Sequence, residues 1–268
     1  MTTEAPALVR VPFRYAHEHN PAGLFYALAH SQSTCSFQEH DTEVVDGRPI
    51  SHRCALDTTG FVLVRHETAV TDFTDTRQVD DVYVPEVEAL VQRLTGASRV
   101  IVFHKLARFE GGEAEGRRQP ARNPHVDYTQ DSFETWIRQE LGPDEAEPLL
   151  AKRWSAINVW RGIRPVERAP LALADGRTVL AERLLPVQIH EAPGKPTPFV
   201  GINLRYDPAQ HWYFFPDMQP DEALVFTLFD TDPDRTQRVA HSAFDDPGSR
   251  PDAAPRASFE VRTVAFFD

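Results

Sequence analysis

A mainly β, double-sheet jelly roll with flanking helices is the fold class this sequence predicts, on three observations. Short runs rich in Val, Ile, Phe and Trp recur along the chain. Only two stretches carry a helical period. The 22 prolines gather in turn-forming clusters, such as Pro193-Gly194-Lys195-Pro196-Thr197-Pro198 and residues 247–255, that suit loops between β elements better than a linker between domains. In chain order, strands are expected at residues 61–64, 100–103, 156–160, 199–204, 212–215, 223–229 and 259–267. The first helix is expected over 85–94, where Val87, Leu90, Val91 and Leu94 fall at i, i+3, i+4 and i+7 behind Pro85. The second starts at Pro143 and runs through Leu149, Leu150 and Trp154. Many strands with two helices outside them point to two packed sheets whose open end holds a ligand.

At 268 residues, without an internal repeat, the chain is read as a single domain, 1–268. Forty acidic against 28 basic side chains leave a net charge of −12, which argues against a nucleic-acid partner or an anionic membrane surface and for a small-molecule partner. Cys35 and Cys54 have no metal-type spacing and read as two reduced thiols. The start, Met1 to Pro6, has no basic segment leading into an apolar run, and no stretch approaches the ~18 apolar residues of a membrane span, so a cytoplasmic protein is expected.

The chemistry lies in two pairs at spacing i, i+2. In an extended strand such residues face the same way, so His125 and Asp127 can both point at one metal ion, with His241 completing the set. Two imidazoles and one carboxylate on one face of an octahedron are the ligand set of non-haem Fe(II) oxygenases, with the opposite positions open to substrates. About one His-x-Asp is expected by chance in a chain with 11 histidines; here it is the only one, and Asn123-Pro124 before it mark the entry to a strand. Arg256 and Ser258 repeat the spacing 15 residues beyond His241, and a guanidinium beside a hydroxyl grips a carboxylate such as that of 2-oxoglutarate. Arg153-Trp154-Ser155 has the same pattern but precedes His241. Arg262, an even offset from Arg256, is the alternative clamp.

Several stretches resemble the AsaB and gibberellin-desaturase-like hydroxylase/desaturase family. They are Ile157-Asn158-Val159-Trp160-Arg161, Pro165-Val166 with Ala169 to Leu173, Leu204-Arg205-Tyr206-Asp207-Pro208 with His211-Trp212-Tyr213, and the ending His241 to Pro247, Pro255 to Arg262 and Phe266-Phe267. The resemblance covers about residues 99 to 268. It implies a double-stranded β-helix core over 96–268, with 1–95 as an extension packed on it. It also implies Fe(II) and 2-oxoglutarate, with O2 and a small secondary metabolite as further substrates. His125, Asp127 and His241 would take the metal, and Arg256 with Ser258 the distal carboxylate of the co-substrate. Oxidative decarboxylation to succinate would drive hydroxylation or desaturation, and the aspartate at 127 argues against halide transfer. Two departures are Gly162, where the family has proline, and the segment from His104 to Arg108, which lacks an expected aspartate.

Asn158 is assigned to the co-substrate. Trp160, Arg161, Tyr206, Trp212 and Tyr213 are assigned to the substrate, although aromatic strand residues are more often core and Arg161 faces away from Asn158 and Trp160 unless a bulge intervenes. His17, His19 and His40 read as exposed, His211 as surface or core, and none is given a metal. The competing reading is a metal-binding jelly-roll module that is non-catalytic or independent of 2-oxoglutarate. A separate carboxylate clamp beside a facial triad favours the enzyme.

Overall fold

The computed structural model describes residues 7–18, 23–111, 117–195 and 199–268. The start, 1–6, His19 and the prolines at 196 and 198 lie outside the described residues. Fourteen strands in these residues, numbered in chain order, form two sheets. Across the major sheet lie β1 (Leu8–Ala16), β3 (Phe37–Asp46), β11 (Trp212–Phe214), β8 (Leu171–Ala174), β13 (His241–Ala243), β6 (His125–Val126), β10 (Phe199–Leu204), β9 (Leu184–His190) and β2 (Leu24–Tyr26). The minor sheet runs β4 (Phe61–Arg65), β12 (Glu222–Asp230), β7 (Trp154–Gly162), β14 (Ala257–Phe266) and β5 (Arg99–Phe109).

The two central strands of the minor sheet show why the pattern yields this arrangement. Along β7 and β14 side chains alternate between two apolar environments. Trp154, Ala156, Trp160, Val264 and Phe266 point inward and pack with Leu171 and Leu173 of the major sheet. Ile157, Val159, Phe259, Val261 and Ala265 point outward and are covered by Val87, Leu90 and Val91 of α2 (Val84–Thr95). All ten residues of β14 are buried, so each polar one among them must find a partner inside the protein.

The expected 85–94 helix is α2, entered through a short turn, α1 (Thr76–Gln78), and one π-helical turn, and closed by Gly96 at φ 73°, a left-handed position that favours glycine. The Pro143 helix is α4 (Pro143–Leu150). Trp154 does not belong to it, because the chain has already turned into β7. Each expected strand falls on one of β4, β5, β7, β10, β11, β12 and β14.

Three features go beyond the sequence reading. β1 and β3 pair antiparallel from Leu8↔Val45 to Ala16↔Phe37, and Ala16 bridges to Arg205 just past β10, so the major sheet curls back on itself. Residues before 95 therefore supply hydrogen-bonded strands to both sheets as well as α2, which is laid upon one of them. The third is α3 (Gln130–Leu141), capped by the Thr129 hydroxyl and burying Phe133 and Ile137, which follows directly on the His125–Asp127 segment.

Candidate metal centre and its arginines

His125 on β6 and His241 on β13 are directly opposite one another in the antiparallel register, which places their rings side by side with centroids 4.4 Å apart. Asp127, two residues past His125, turns to the same side. Its two carboxylate oxygens lie 3.8 Å from His125 Nε2 and 3.7 Å from His241 Nε2. One ligand atom from each of the three residues falls within 4.8 Å of the others, the spacing of a site for one ion.

The tautomers suit a metal. His125 Nδ1 donates to the carbonyl of Asn123 at 2.7 Å, and His241 Nδ1 to that of Val239 at 3.3 Å, which leaves both Nε2 lone pairs facing Asp127. Burial pushes the His125 imidazolium down to about 3, with the His241 ring adding to the effect, and burial also lowers His241. Both rings are therefore neutral at pH 7. Burial would raise the Asp127 carboxyl, but Arg262 and then His241 outweigh it and hold it below the usual carboxylate range.

The opposing wall is one cross-strand row of the minor sheet: Phe226 on β12, Asn158 on β7, Arg262 on β14 and His104 on β5. Arg262 grips Asp127 with both arms of its fork, Nη2 to Oδ1 at 2.7 Å and Nε to Oδ2 at 3.0 Å. It also donates to Glu260 (2.7 Å), His104 Nδ1 (2.6 Å) and the Tyr128 hydroxyl (3.1 Å). Glu260 in turn accepts from Arg108 at 3.1 Å and 3.4 Å. Two buried carboxylates thus face two guanidinium groups. Sequence reasoning kept Arg262 only as an alternative clamp and missed His104, Arg108, Tyr128 and Glu260.

Immediately before β14, Arg256 is 2 % exposed. Its guanidinium donates to Ser258 Oγ (3.2 Å) and the Ala169 carbonyl (2.7 Å) and lies 5.1 Å from the centre of the Trp160 ring. Among the described residues it pairs with no carboxylate. Burial and the nearby Arg108 push it down to about 9, so it is charged at pH 7 and short of a counter-ion. Two neighbouring buried atoms also lack partners among the described residues: Asn158 Oδ1 and Trp160 Nε1. A neutral His pair converging on a carboxylate, an unpaired buried cation and two orphaned polar atoms fit a divalent metal with a carboxylate-bearing co-substrate.

The remaining expected residues do not all gather here. Asn158 does, its amide reaching Asp127 Oδ2 at 3.4 Å, and Trp160 lies beside Arg256. Arg161 does not. It points to the outer face of β7, where it donates to the carbonyls of His66 and Pro220 and stacks over Phe73 and Tyr83, because one residue's step in a regular strand reverses the side chain. Tyr206 stacks on a half-buried His40 at 4.1 Å, and Trp212 meets Phe13 edge-on at 5.0 Å, both on the far face of the major sheet. Tyr213 packs near Phe61, 6.0 Å away. A cavity of about 1170 Å³ opens instead beside His125, Asp127 and Arg262, walled by Phe25, Phe103, Trp136 and Phe199.

Comparison with known proteins places this geometry. A family model described as an Oxidoreductase/YMDC permease-like domain matches residues 11–266. Among the described residues no helix is long and apolar enough to cross a membrane. The alpha-ketoglutarate-dependent dioxygenase phiK of a fungal species is 33% identical over 221 residues, 79% of each chain. The hydroxylase/desaturase CTB9 of Cercospora beticola is 31% identical over 254 residues, 87% of this chain and 78% of its own. The solved structure of the iron and alpha-ketoglutarate-dependent endoperoxidase NvfI is similar with a TM-score of 0.88 at 29% identity, covering 97% of this chain and 98% of that one.

Proposed function

The chain belongs to the family of iron- and 2-oxoglutarate-dependent dioxygenases and hydroxylase/desaturases, and from that premise we propose that it oxidises a small secondary metabolite with O2 at an Fe(II) held by His125, Asp127 and His241. The observation that carries this reading is the convergence of two neutral Nε2 lone pairs and one carboxylate. Fe(II) bound there would let O2 act as the oxidant, drawing two electrons from 2-oxoglutarate, which leaves as succinate and carbon dioxide, and two from a substrate C–H bond.

The chain's own residues prepare that chemistry. The backbone carbonyls of Asn123 and Val239 fix the two imidazole tautomers. Arg262 fixes the orientation of Asp127 and offsets its charge, and can keep donating to one carboxylate oxygen while the other faces a metal. Arg256 with Ser258 would take the distal carboxylate of 2-oxoglutarate, a pairing supported by the cation's lack of a carboxylate partner. Asn158, with its free Oδ1, and Trp160, with its free Nε1, lie beside this route. Aromatic walls on one part of the cavity suit an apolar substrate, and its volume leaves room for a molecule of several rings. Two free, half-buried thiols, Cys35 and Cys54, support the cytoplasm as the compartment.

The test is anaerobic addition of Fe(II) and then 2-oxoglutarate. A weak visible charge-transfer band in wild type, its absence in His241→Ala, and one succinate released per substrate oxidised are the expected outcomes. Iron binding without that band would favour the 2-oxoglutarate-independent module.

A further inference from the structure

Among the cations that line the cavity, Arg118 is neither part of the metal centre nor held by another side chain among the described residues. Arg118 lines it, on the loop that returns from β5 toward β6. Of the other cavity arginines, Arg108 is paired with Glu260, Arg122 with Glu110 and Asp245, and Arg262 with Asp127, while Arg14 lies over the Phe37 ring, 5.4 Å from its centre. The Arg118 guanidinium has no hydrogen-bond or ion-pair partner among the described residues. Glu191 on the same cavity wall favours its charge but makes no ion pair with it, and in a chain with net charge −12 an arginine left so in a cavity is conspicuous.

Its backbone is held by two hydrogen bonds. Phe109 N donates to the Arg118 carbonyl at 2.9 Å, and the Arg108 side chain donates to the next carbonyl, that of Gln119, at 3.0 Å. The side chain is thus presented beside Arg108 from a fixed position. Burial, and after it the charge of Arg108, lower the Arg118 pKa, as a partially desolvated cation without a bound anion should behave. The same cavity has an apolar wall: Phe103 and Trp136 pack at 4.8 Å, and Tyr128 and Phe199 at 4.4 Å.

We propose that this cavity takes an apolar, ring-bearing small molecule that carries a carboxylate, and that Arg118 is the residue that pairs with that acid. The inference deepens the oxygenase reading, since it assumes the cavity beside His125 is the substrate's. It gives the binding mode a direction: ring system along Phe103, Trp136 and Phe199, acid at Arg118, and the oxidised carbon between them at the metal.

The test is calorimetric titration of the full chain with 2-naphthoate and with its methyl ester, in wild type and in R118Q, R118K and R256Q. Wild type and R256Q should bind the acid about 10- to 100-fold more tightly than the ester, the range of one charge-assisted contact. R118Q should lose that preference while keeping its affinity for the ester, which doubles as the check that it is folded. R118K should keep part of the preference. An acid that binds wild type no better than the ester, absence of binding by both included, overturns the proposal. So does a preference that survives R118Q and vanishes in R256Q, since the probe would then sit in the co-substrate clamp. Loss of the iron and 2-oxoglutarate band in wild type would sink the oxygenase reading alone and leave the acid preference standing.

Discussion

Arg256, immediately before β14, and Arg262 within it stand six residues apart and both are buried, yet their surroundings are opposites. Arg262 meets two carboxylates, a hydroxyl and an imidazole, and although burial opposes its charge, Asp127 and its other neighbours raise its pKa above the ordinary arginine value. Arg256 meets a hydroxyl, a carbonyl and an indole face, and burial drives it down. A buried charge is tolerable only when something answers it. At Arg262 the protein supplies the answer, so that residue orients a metal ligand. At Arg256 no carboxylate among the described residues supplies it, which is what supports the proposal that this residue takes the co-substrate's. Sequence spacing makes the two arginines equivalent; their partners separate them.

The largest effect should come from breaking the paired end. Arg262→Ala leaves Asp127 and Glu260 buried with only Arg108 between them, a loss of about 3–5 kcal/mol of folding stability. Denaturant midpoints will read it, and iron binding should fall with it because Asp127 is no longer held. Wild-type stability with intact metal binding would show that the pair is incidental. Arg256→Ala should divide the other way: a smaller stability loss, about 1–2 kcal/mol, but a rise of about 30- to several-thousand-fold in the 2-oxoglutarate requirement, from about 2–5 kcal/mol of lost charge-assisted bonding. Succinate release against 2-oxoglutarate concentration measures it. A requirement unmoved in Arg256→Ala but raised in Arg153→Ala would transfer the clamp to Arg153, which is already paired with Asp230 at 2.7 Å.

The legible parts of this site were the local ones. His125 and Asp127 share a face by strand parity alone, and Arg256 and Ser258 likewise; the same parity already placed Arg161 away from Asn158. The partnership of Arg262 with Asp127 spans 135 positions of sequence and depends on how two sheets face each other, which no spacing encodes. Tyr206 and Trp212 were misplaced for the same reason: a strand's period tells that two faces exist, not which one meets the metal. By contrast, the strand Leu8–Ala16 was readable and went unread, since Val11, Phe13 and Tyr15 alternate with Arg10, Pro12 and Arg14, all exposed. So was α3, where Phe133 and Ile137 stand four apart behind a threonine cap.

Acid should act on the Arg262 end first. Burial holds His104 down at about 4 and His125 at about 3, and it also lowers His241, while the unfolded chain protonates each histidine near 6.5. The folded state therefore keeps its full stability above about pH 6.5 and loses it as pH falls from there toward 4, at up to about 1.4 kcal/mol per pH unit for each group. Asp127 and Glu260, both depressed, add to the loss only below the ordinary carboxylate values near 4. Unfolding midpoints of the metal-free protein at pH 7.5 and pH 5 should differ. His104→Gln should narrow that difference, and Arg256→Ala should leave it alone. An unchanged difference in His104→Gln would mean that this histidine is not held neutral by its place beside Arg262.

The finest test lies within the clamp itself. Ser258 Oγ accepts from Arg256 Nε at 3.2 Å, which uses one donor of the fork and leaves the serine's own hydrogen free to reach a bound carboxylate. Ser258→Ala removes one neutral hydrogen-bonding group of a charged arrangement, so its cost should be on the order of 1 kcal/mol, about fivefold in the 2-oxoglutarate requirement. Stability should barely move, because Arg256 keeps the Ala169 carbonyl. If the serine only steadies the arginine, Ser258→Ala combined with Arg256→Ala will cost no more than Arg256→Ala alone. If the serine also touches the co-substrate, the double variant will need more 2-oxoglutarate than the single one, and the comparison of the two arginines sharpens to a statement about three groups: one that orients the metal's carboxylate, and two that hold the other carboxylate between them.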